Sequence, residues 1–252
     1  MKHVFHEWRY LMKPEEFFKA LADKGIELSE VQKEQFATYF HELVETNRVM
    51  NLTTITEEDQ VYLKHFYDSI VLGFVDEKLL HEELTLCDVG SGAGFPSLPL
   101  KIINPKLKIT IVDSLNKRIK FLDGLVEKLN LDNVSLVHGR AEEVGKNPQF
   151  RESFDVVTAR AVAAMNVLTE FCLPLVKIGG QFVAMKSEKA PEELEVAQYA
   201  IKTLGGEIKQ QESVELPNDA GLRNFIFVGK ISKTPKKYPR KPGDPARKPL
   251  VK

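Results

Sequence analysis

The sequence predicts an α/β protein in which a mostly parallel sheet is covered by helices on both faces and is preceded by a helical segment. Apolar residues recur at three- and four-residue steps through about the first 75 residues. From residue 84 onward, short apolar runs alternate with helical stretches. The first of those runs leads directly into glycines at alternate positions, which is typical of a strand that ends at a binding turn.

The amino-terminal segment predicts three helices. Apolar spacing places the first at 17–21 and the second at 31–44, with Ser29 as its cap. A third helical pattern covers 61–75. We therefore expect residues 1–83 to form a helical cap on the sheet.

The position of the start codon is a separate hypothesis. Met12 precedes a good helix opening, with Pro14 near the first turn, whereas the eleven residues before it have no clear period. We expect translation to begin at Met12 rather than at Met1. The intact mass of the natural protein decides between them.

The central segment, 84–230, predicts the sheet domain. Its apolar runs predict strands at 84–89, 107–112, 134–138, 154–159 and 181–186. Helices are expected between them at 115–130, 162–176 and 191–204. Two further runs, at 207–216 and 224–229, indicate a hairpin.

Residues 231–252 form a basic, proline-rich tail. From Lys230 onward there are nine basic residues against the single acid Asp244, a net charge of +8, although the whole chain sums to -1. Five of the 13 prolines also lie here, and proline blocks regular helix. We expect the tail to be extended and mobile when free. It is either a segment that lies along a polyanion or only a solubilising end.

Composition excludes several classes of protein. The chain has 252 residues, 43% of them hydrophobic, which suits one sizeable core. Its two cysteines, Cys87 and Cys172, lie in apolar runs and exclude a disulfide scaffold, and no Cys/His spacing indicates a metal site. No apolar stretch approaches the roughly 20 residues that span a bilayer. We expect a cytoplasmic, monomeric protein that needs no metal.

The turn at 88–95 is the most informative segment for function. Glycine is required where φ is positive or where a ligand must approach the backbone without meeting a Cβ. A nicotinamide-binding turn would have its third glycine at the position of Phe95. Glycines at 90, 92 and 94, after Asp88, instead match the nucleoside-binding turn of methyltransferases that use S-adenosylmethionine. A bare glycine turn without a ligand is the alternative.

Two later strand ends add acidic groups. Asp113 ends the second strand, where a carboxylate can accept hydrogen bonds from ribose hydroxyls. Residues 140–143, after the third strand, offer backbone groups and a carboxylate to the edge of an adenine ring. Each acid alone is a weak signal, but successive strand ends place them at one edge of the sheet.

A series of short motifs runs along the whole chain. In order they are Asn51-Leu52-Thr53, His65 with Asp68-Ser69, the turn from Asp88 to Pro96, Asp113-Ser114, Lys117-Arg118, Ala159-Arg160-Ala161 and Lys186. Together they resemble the bacterial 16S ribosomal RNA methyltransferase G family, also called glucose-inhibited division protein B. The resemblance extends to the hairpin that carries Arg223, and the tail resembles that of low-GC Gram-positive members.

The resemblance implies a class I methyltransferase fold, a Rossmann-like, doubly wound sheet of seven strands. It also implies S-adenosylmethionine as donor and guanine N7 as target, in a 16S rRNA loop near the decoding centre of the 30S subunit or an assembly intermediate. By position, its cofactor contacts fall on Gly90, Phe95, Ala141, Glu142 and Arg160. Reasoning from the turn and the strand ends adds Asp88, Gly92, Gly94 and Asp113.

Guanine N7 has an in-plane lone pair and no proton, so we assign no acid or base to the reaction. N7 faces the narrow major groove of A-form RNA, so the target guanine must be unpaired or flipped. Candidates for RNA contact are Asn51, Lys117, Arg118, Arg160, Lys186 and Arg223. A solvated surface charge is the alternative for several of these cations. We expect His65 to fasten the cap by hydrogen bonding rather than to act as a base.

Three other functions compete with rRNA methylation. A protein or small-molecule methyltransferase would share the turn but has no use for the basic tail, and RNA binding with a steep salt dependence separates the two. A noncatalytic RNA-binding module has no reason to retain the restrictive glycine turn. A nicotinamide dehydrogenase is opposed by Phe95.

Overall fold

A computed structural model describes residues 12–252, and the start-site hypothesis for residues 1–11 lies outside them. Seven strands form one sheet: β1 (Thr85–Val89), β2 (Lys108–Asp113), β3 (Val134–His138), β4 (Phe154–Arg160), β5 (Val176–Lys186), β6 (Gly206–Glu215) and β7 (Leu222–Lys230). Their order is β3-β2-β1-β4-β5-β7-β6. The first five are parallel, and β7 is antiparallel to both of its neighbours. The predicted mostly parallel, seven-stranded sheet is confirmed.

Helices pack on both faces of this sheet. Before β1 lie α1 (Pro14–Ala22), α2 (Glu30–Met50), α3 (Glu58–Val61), a π-helical segment (Tyr62–Tyr67), α4 (Asp68–Val75) and α5 (Lys78–His81). After β1 come α6 (Ser97–Ile103), α7 (Asn116–Lys128), α8 (Ala141–Val144), α9 (Met165–Cys172), α10 (Ala190–Thr203) and α11 (Asp244–Arg247). The sequence did not predict α6. All seven of its residues are buried, the polar Ser97 and Lys101 included, so a short helix without an exposed face gives too little contrast for a helical period to be detected.

The pleat of the strands divides the interior into two hydrophobic cores. Leu86 of β1 faces the core built with the amino-terminal helices, whereas its neighbour Cys87 faces the core built with α9 and α10. The first core contains the aromatic side chains of the cap, including Phe17, Phe36 and Phe66, in edge and tilted contacts. The amino-terminal helices are thus packed directly on one face of the sheet.

The expectation of a free, mobile tail is wrong. Tyr238 is buried in the second core, and the Arg151 guanidinium donates hydrogen bonds to the carbonyls of Tyr238 and Thr234, at 2.9 and 2.8 Å. The tail carries enough buried contacts to dock despite its prolines, because prolines restrict helix but not packing. Separately, no helix within residues 12–252 is long and apolar enough to cross a membrane.

Candidate functional site

The turn after β1 has the backbone that its glycines require. Gly90, Gly92 and Gly94 have φ of +75°, +63° and +103°, all in the region that L side chains rarely adopt. A Cβ at Gly94 would lie 2.6 Å from Tyr39 Oη and 2.7 Å from Leu98 Cδ1. A Cβ at Gly92 would meet nothing within 4 Å. Thus Gly94 is packed under the cap, whereas the backbone at Gly92 lies beside open space.

A cavity of about 260 Å³ lies at the carboxyl edge of the sheet beside this turn. Four predicted cofactor residues line it: Gly90, Asp113, Ala141 and Glu142. The Asp113 carboxylate accepts the Leu115 amide at 2.8 Å and pairs with the Arg118 guanidinium at 3.3 Å. Arg118, a candidate for RNA contact, therefore lies in the wall of this cavity.

Asp88 is fully buried beneath the turn. Its Oδ2 accepts the backbone N–H of Ser97 at 3.2 Å, and its Oδ1 has no hydrogen-bond partner among the described residues. The nearby Ser91 hydroxyl is also without a partner in that part of the chain. Burial raises the pKa of Asp88 to about 7, opposed by hydrogen bonding to Ser97 and by the charge of Arg160.

This shift predicts a pH dependence of stability. In the folded protein the Asp88 carboxyl keeps its proton below about pH 7. In the unfolded chain the same carboxyl loses its proton near pH 4. Between these values the unfolded state binds fewer protons, so this group's contribution to stability falls as pH rises. Asparagine does not titrate, so Asp88→Asn should lack this fall in stability. We therefore expect the difference in free energy of unfolding between the parent and the variant to change by a few kcal/mol between about pH 4 and pH 7. Urea unfolding at several pH values measures it. A difference that is constant from about pH 4 to 8 would contradict the assignment.

Phe95 lies between the turn and the cap and is buried. Its ring stacks on Tyr39 with centroids 5.3 Å apart and on His65 at 4.6 Å, and the Arg160 guanidinium lies 5.2 Å from its centroid. Tyr39 also donates its hydroxyl hydrogen to the carbonyl of Ala93 at 2.7 Å. The Phe95 side chain thus joins the cap to the glycine turn and does not line the cavity of about 260 Å³ beside that turn. Nothing in the local sequence identified Tyr39, which precedes this turn by more than fifty residues.

His65 is held as a neutral, structural group. Its Nε2 lies 2.9 Å from the Thr53 hydroxyl, and burial, followed by the charge of Arg160, lowers its pKa to about 3. A histidine that stays neutral at physiological pH and stacks on Phe95 suits a fastening role. This supports the interpretation from sequence that His65 attaches the cap to the site.

We expect His65→Asn to leave turnover within about threefold of the parent, because a histidine that only fastens the cap takes no part in proton transfer, although the shorter side chain gives up both the Thr53 hydrogen bond and the ring contact on Phe95. Methyl transfer measured at saturating substrates tests this. The exposed His81 provides a matched control, His81→Asn. A loss near a thousandfold in a folded His65→Asn variant would instead make His65 part of the chemistry.

Asp68 joins two arginines that are distant in sequence. Its Oδ2 accepts a hydrogen bond from Arg160 Nη1 at 3.0 Å, and its Oδ1 accepts one from Arg223 Nε at 2.8 Å. The carboxylate is 3% exposed and follows directly on the π-helical segment. The sequence placed Asp68 on one helix face with His65, but it carried no signal for partners 92 and 155 residues away.

A second cavity, of about 410 Å³, opens beside the first, and Ala161 lines both. Three of the predicted RNA contacts, Arg160, Lys186 and Arg223, lie in its wall together with Lys64 and Asp68. Lys186 also pairs with Glu193 at 2.6 Å. The structure thus brings a cluster of cations to the edge of the site.

Two predicted RNA contacts lie elsewhere. Asn51 ends α2 in a left-handed conformation, with φ of +51°, and is exposed. Lys117 reaches the Met50 carbonyl at 3.3 Å, so it lies beside Asn51. Neither residue lines the cavity of about 410 Å³, which we call the cationic cavity, and together they form a separate polar surface at the end of α2.

Known proteins resemble this chain along most of its length. A family model described as GidB, rRNA small subunit methyltransferase G, matches residues 32–220. A ribosomal RNA small subunit methyltransferase G from Staphylococcus saprophyticus is 62% identical over 231 residues, which cover 92% of this chain and 95% of the relative. Another from Lactobacillus acidophilus is 56% identical over 239 residues, covering 95% and 100%.

Solved structures resemble the fold at much lower identity. A SAM dependent methyltransferase from Aquifex aeolicus has a TM-score of 0.51 at 22% identity, covering 69% of this chain and 94% of that one. A putative sarcosine dimethylglycine methyltransferase from Galdieria sulphuraria has a TM-score of 0.52 at 12% identity, covering 79% and 99%. At such identities the likeness is one of fold alone, and it agrees with the class I methyltransferase fold.

Proposed function

The chain belongs to the rRNA small subunit methyltransferase G family, and from that premise we propose that it transfers a methyl group from S-adenosylmethionine to N7 of a guanine in 16S rRNA. Family membership makes the chain an rRNA methyltransferase of the small subunit. The donor, the target atom and the roles of individual residues are the proposal. One observation carries them: a glycine-walled cavity and a cationic cavity meet at Ala161.

The cavity of about 260 Å³ beside the glycine turn, which we call the donor-side cavity, has groups that fit S-adenosylmethionine. The backbone of Gly90 lies in its wall, and Asp113 presents a carboxylate where ribose hydroxyls would donate. The backbone of Ala141 and the carboxylate of Glu142 can meet the edge of an adenine ring. When bound, the donor supplies an electrophilic methyl group on a sulfonium.

The chain's residues would act by positioning and by electrostatics. N7 needs no base, so the required contribution is in-line alignment in a pocket that excludes water. A guanine that accepts a methyl group gains positive charge, and a bare arginine beside it would oppose the reaction. Asp68 pairs with Arg160 and offsets that charge. Arg160 can therefore grip a phosphate or stack on a base at a smaller electrostatic cost.

Methyl transfer from labelled S-adenosylmethionine to rRNA from a strain lacking the gene tests the proposal, with 30S subunits and free 16S rRNA assayed in parallel. We expect one new N7-methylguanosine, located by mass mapping and primer extension. Label on protein, on another atom of guanine or on many sites would overturn the target assignment. Absence of donor binding by calorimetry would overturn the cofactor assignment.

A further inference from the structure

The docked tail reaches the donor-side cavity. From the end of β7 the chain runs along α9 to Gly243, whose backbone N–H donates to Oε1 of Glu142 at 2.9 Å. Glu142 is 4% exposed and lines the donor-side cavity. Its other oxygen, Oε2, accepts no hydrogen bond from residues 12–252. The tail thus holds one oxygen of a cavity carboxylate and leaves the other available.

The tail is anchored next to this contact by a buried ion pair. Glu170 of α9 is 0% exposed, and Arg240 meets it with its backbone N–H at 2.8 Å and with Nε and Nη2 at 2.9 and 2.6 Å. Arg240 also donates to the carbonyl of Lys248 at 2.7 Å, which closes the tail around α11. A charge-assisted, multiply bonded pair of this kind fixes geometry as well as adding affinity.

The backbone at Gly243 suits this contact. Its φ is +85°, and a Cβ there would meet nothing within 4 Å, so glycine is required by conformation and not by crowding. The turn at Gly243 precedes α11 and aims its N–H at Glu142. The tail also lies beyond the residues that the family model matches, 32–220.

We propose that the carboxy-terminal tail is a structural part of the donor site, and that Gly243 is a positioning residue for Glu142. The inference rests on the proposed function, because the group that Glu142 would meet is the adenine of the donor. A carboxylate held at Oε1 presents Oε2 in one orientation to an exocyclic amine. Without the tail, Glu142 must lose side-chain freedom when the donor binds, and affinity falls.

Two truncated chains test the proposal. One ends at Pro242 and lacks the Gly243 N–H, while keeping Arg240 on Glu170. Its matched control ends at Lys248 and keeps Gly243, α11 and the carbonyl that Arg240 bonds. We expect the shorter chain to bind S-adenosylhomocysteine about fivefold to tenfold more weakly in calorimetry, because the ligand must then order the Glu142 side chain that the tail no longer holds. The control should stay within twofold of the full chain.

The same two truncations in a Glu142→Ala background test whether the tail affects ligand affinity through Glu142. If the tail acts through Glu142, ending the chain at Pro242 costs no further affinity once the carboxylate is gone. Equal weakening in both backgrounds would overturn the positioning role. Equal affinity of the two truncated chains would overturn it as well.

A reciprocal measurement needs no variant and covers the case in which the shorter chain fails to fold. Coupling is mutual, so saturating S-adenosylhomocysteine must tighten tail docking by the same factor. We expect hydrogen exchange in peptides that contain Gly243 to slow about fivefold to tenfold, with no change in β6 peptides. No slowing in a protein that binds the ligand would overturn the inference alone. A full chain that does not bind the ligand would overturn the proposed function.

Discussion

Gly94→Ala is expected to lower the free energy of unfolding by about 2 to 4 kcal/mol and to weaken S-adenosylhomocysteine binding at least tenfold. Gly94 has φ of +103°, which costs an L residue roughly 1 to 2 kcal/mol. The new Cβ would also lie 2.6 Å from Tyr39 Oη and 2.7 Å from Leu98 Cδ1. Tyr39 is fully buried, so relief of the contact must move the turn. Urea unfolding and calorimetry measure the two effects.

Gly179→Ala is the matched control for this prediction. Gly179 has φ of +84°, but a Cβ there would meet nothing within 4 Å. We expect it to lose only about 1 kcal/mol from backbone strain and to keep donor affinity unchanged. If both variants lose the same stability and bind the ligand alike, the packing of the cap on the turn has no role in the donor site.

Asp68→Asn is expected to lower kcat/KM for rRNA about a hundredfold, while S-adenosylhomocysteine affinity stays within twofold. The substitution removes the charge that holds Arg160 and Arg223 together, and both guanidinium groups are largely withdrawn from water. Arg160 then keeps its contact with the Phe95 ring but loses its charged partner at the cavity edge, so the RNA is bound and aligned less well. Single-turnover methylation of 30S subunits measures the loss.

Asp76→Asn is the control for Asp68→Asn. Asp76 follows the same helix, is bonded by the side-chain amide of Gln181 and lies outside both cavities. We expect it to leave methylation unchanged. An Asp68→Asn variant that loses donor affinity as strongly as rRNA turnover would show that Asp68 supports the whole fold and not the RNA side of the site.

The sequence determined the features whose cause is local. Apolar periodicity predicted five parallel strands and the hairpin, because burial on one or two faces imposes a period that can be recognised within a few residues. The glycine turn was equally legible, since the positive φ at Gly90, Gly92 and Gly94 is a local backbone requirement that strongly favours glycine. Asp113 was found because parallel strands end at a common edge.

Tertiary structure decided every feature that depends on which surfaces meet. Asp68 finds Arg160 and Arg223 across 92 and 155 residues, and Tyr39 reaches the glycine turn from the cap. The tail shows most clearly what the sequence alone could not predict, because its charge and its prolines indicated a mobile segment. The tail docks because Arg240 pairs with Glu170, a buried acid 70 residues earlier in the chain that requires a cationic partner. Composition describes what a segment can do alone, whereas the complementary partner exists only after the fold has formed.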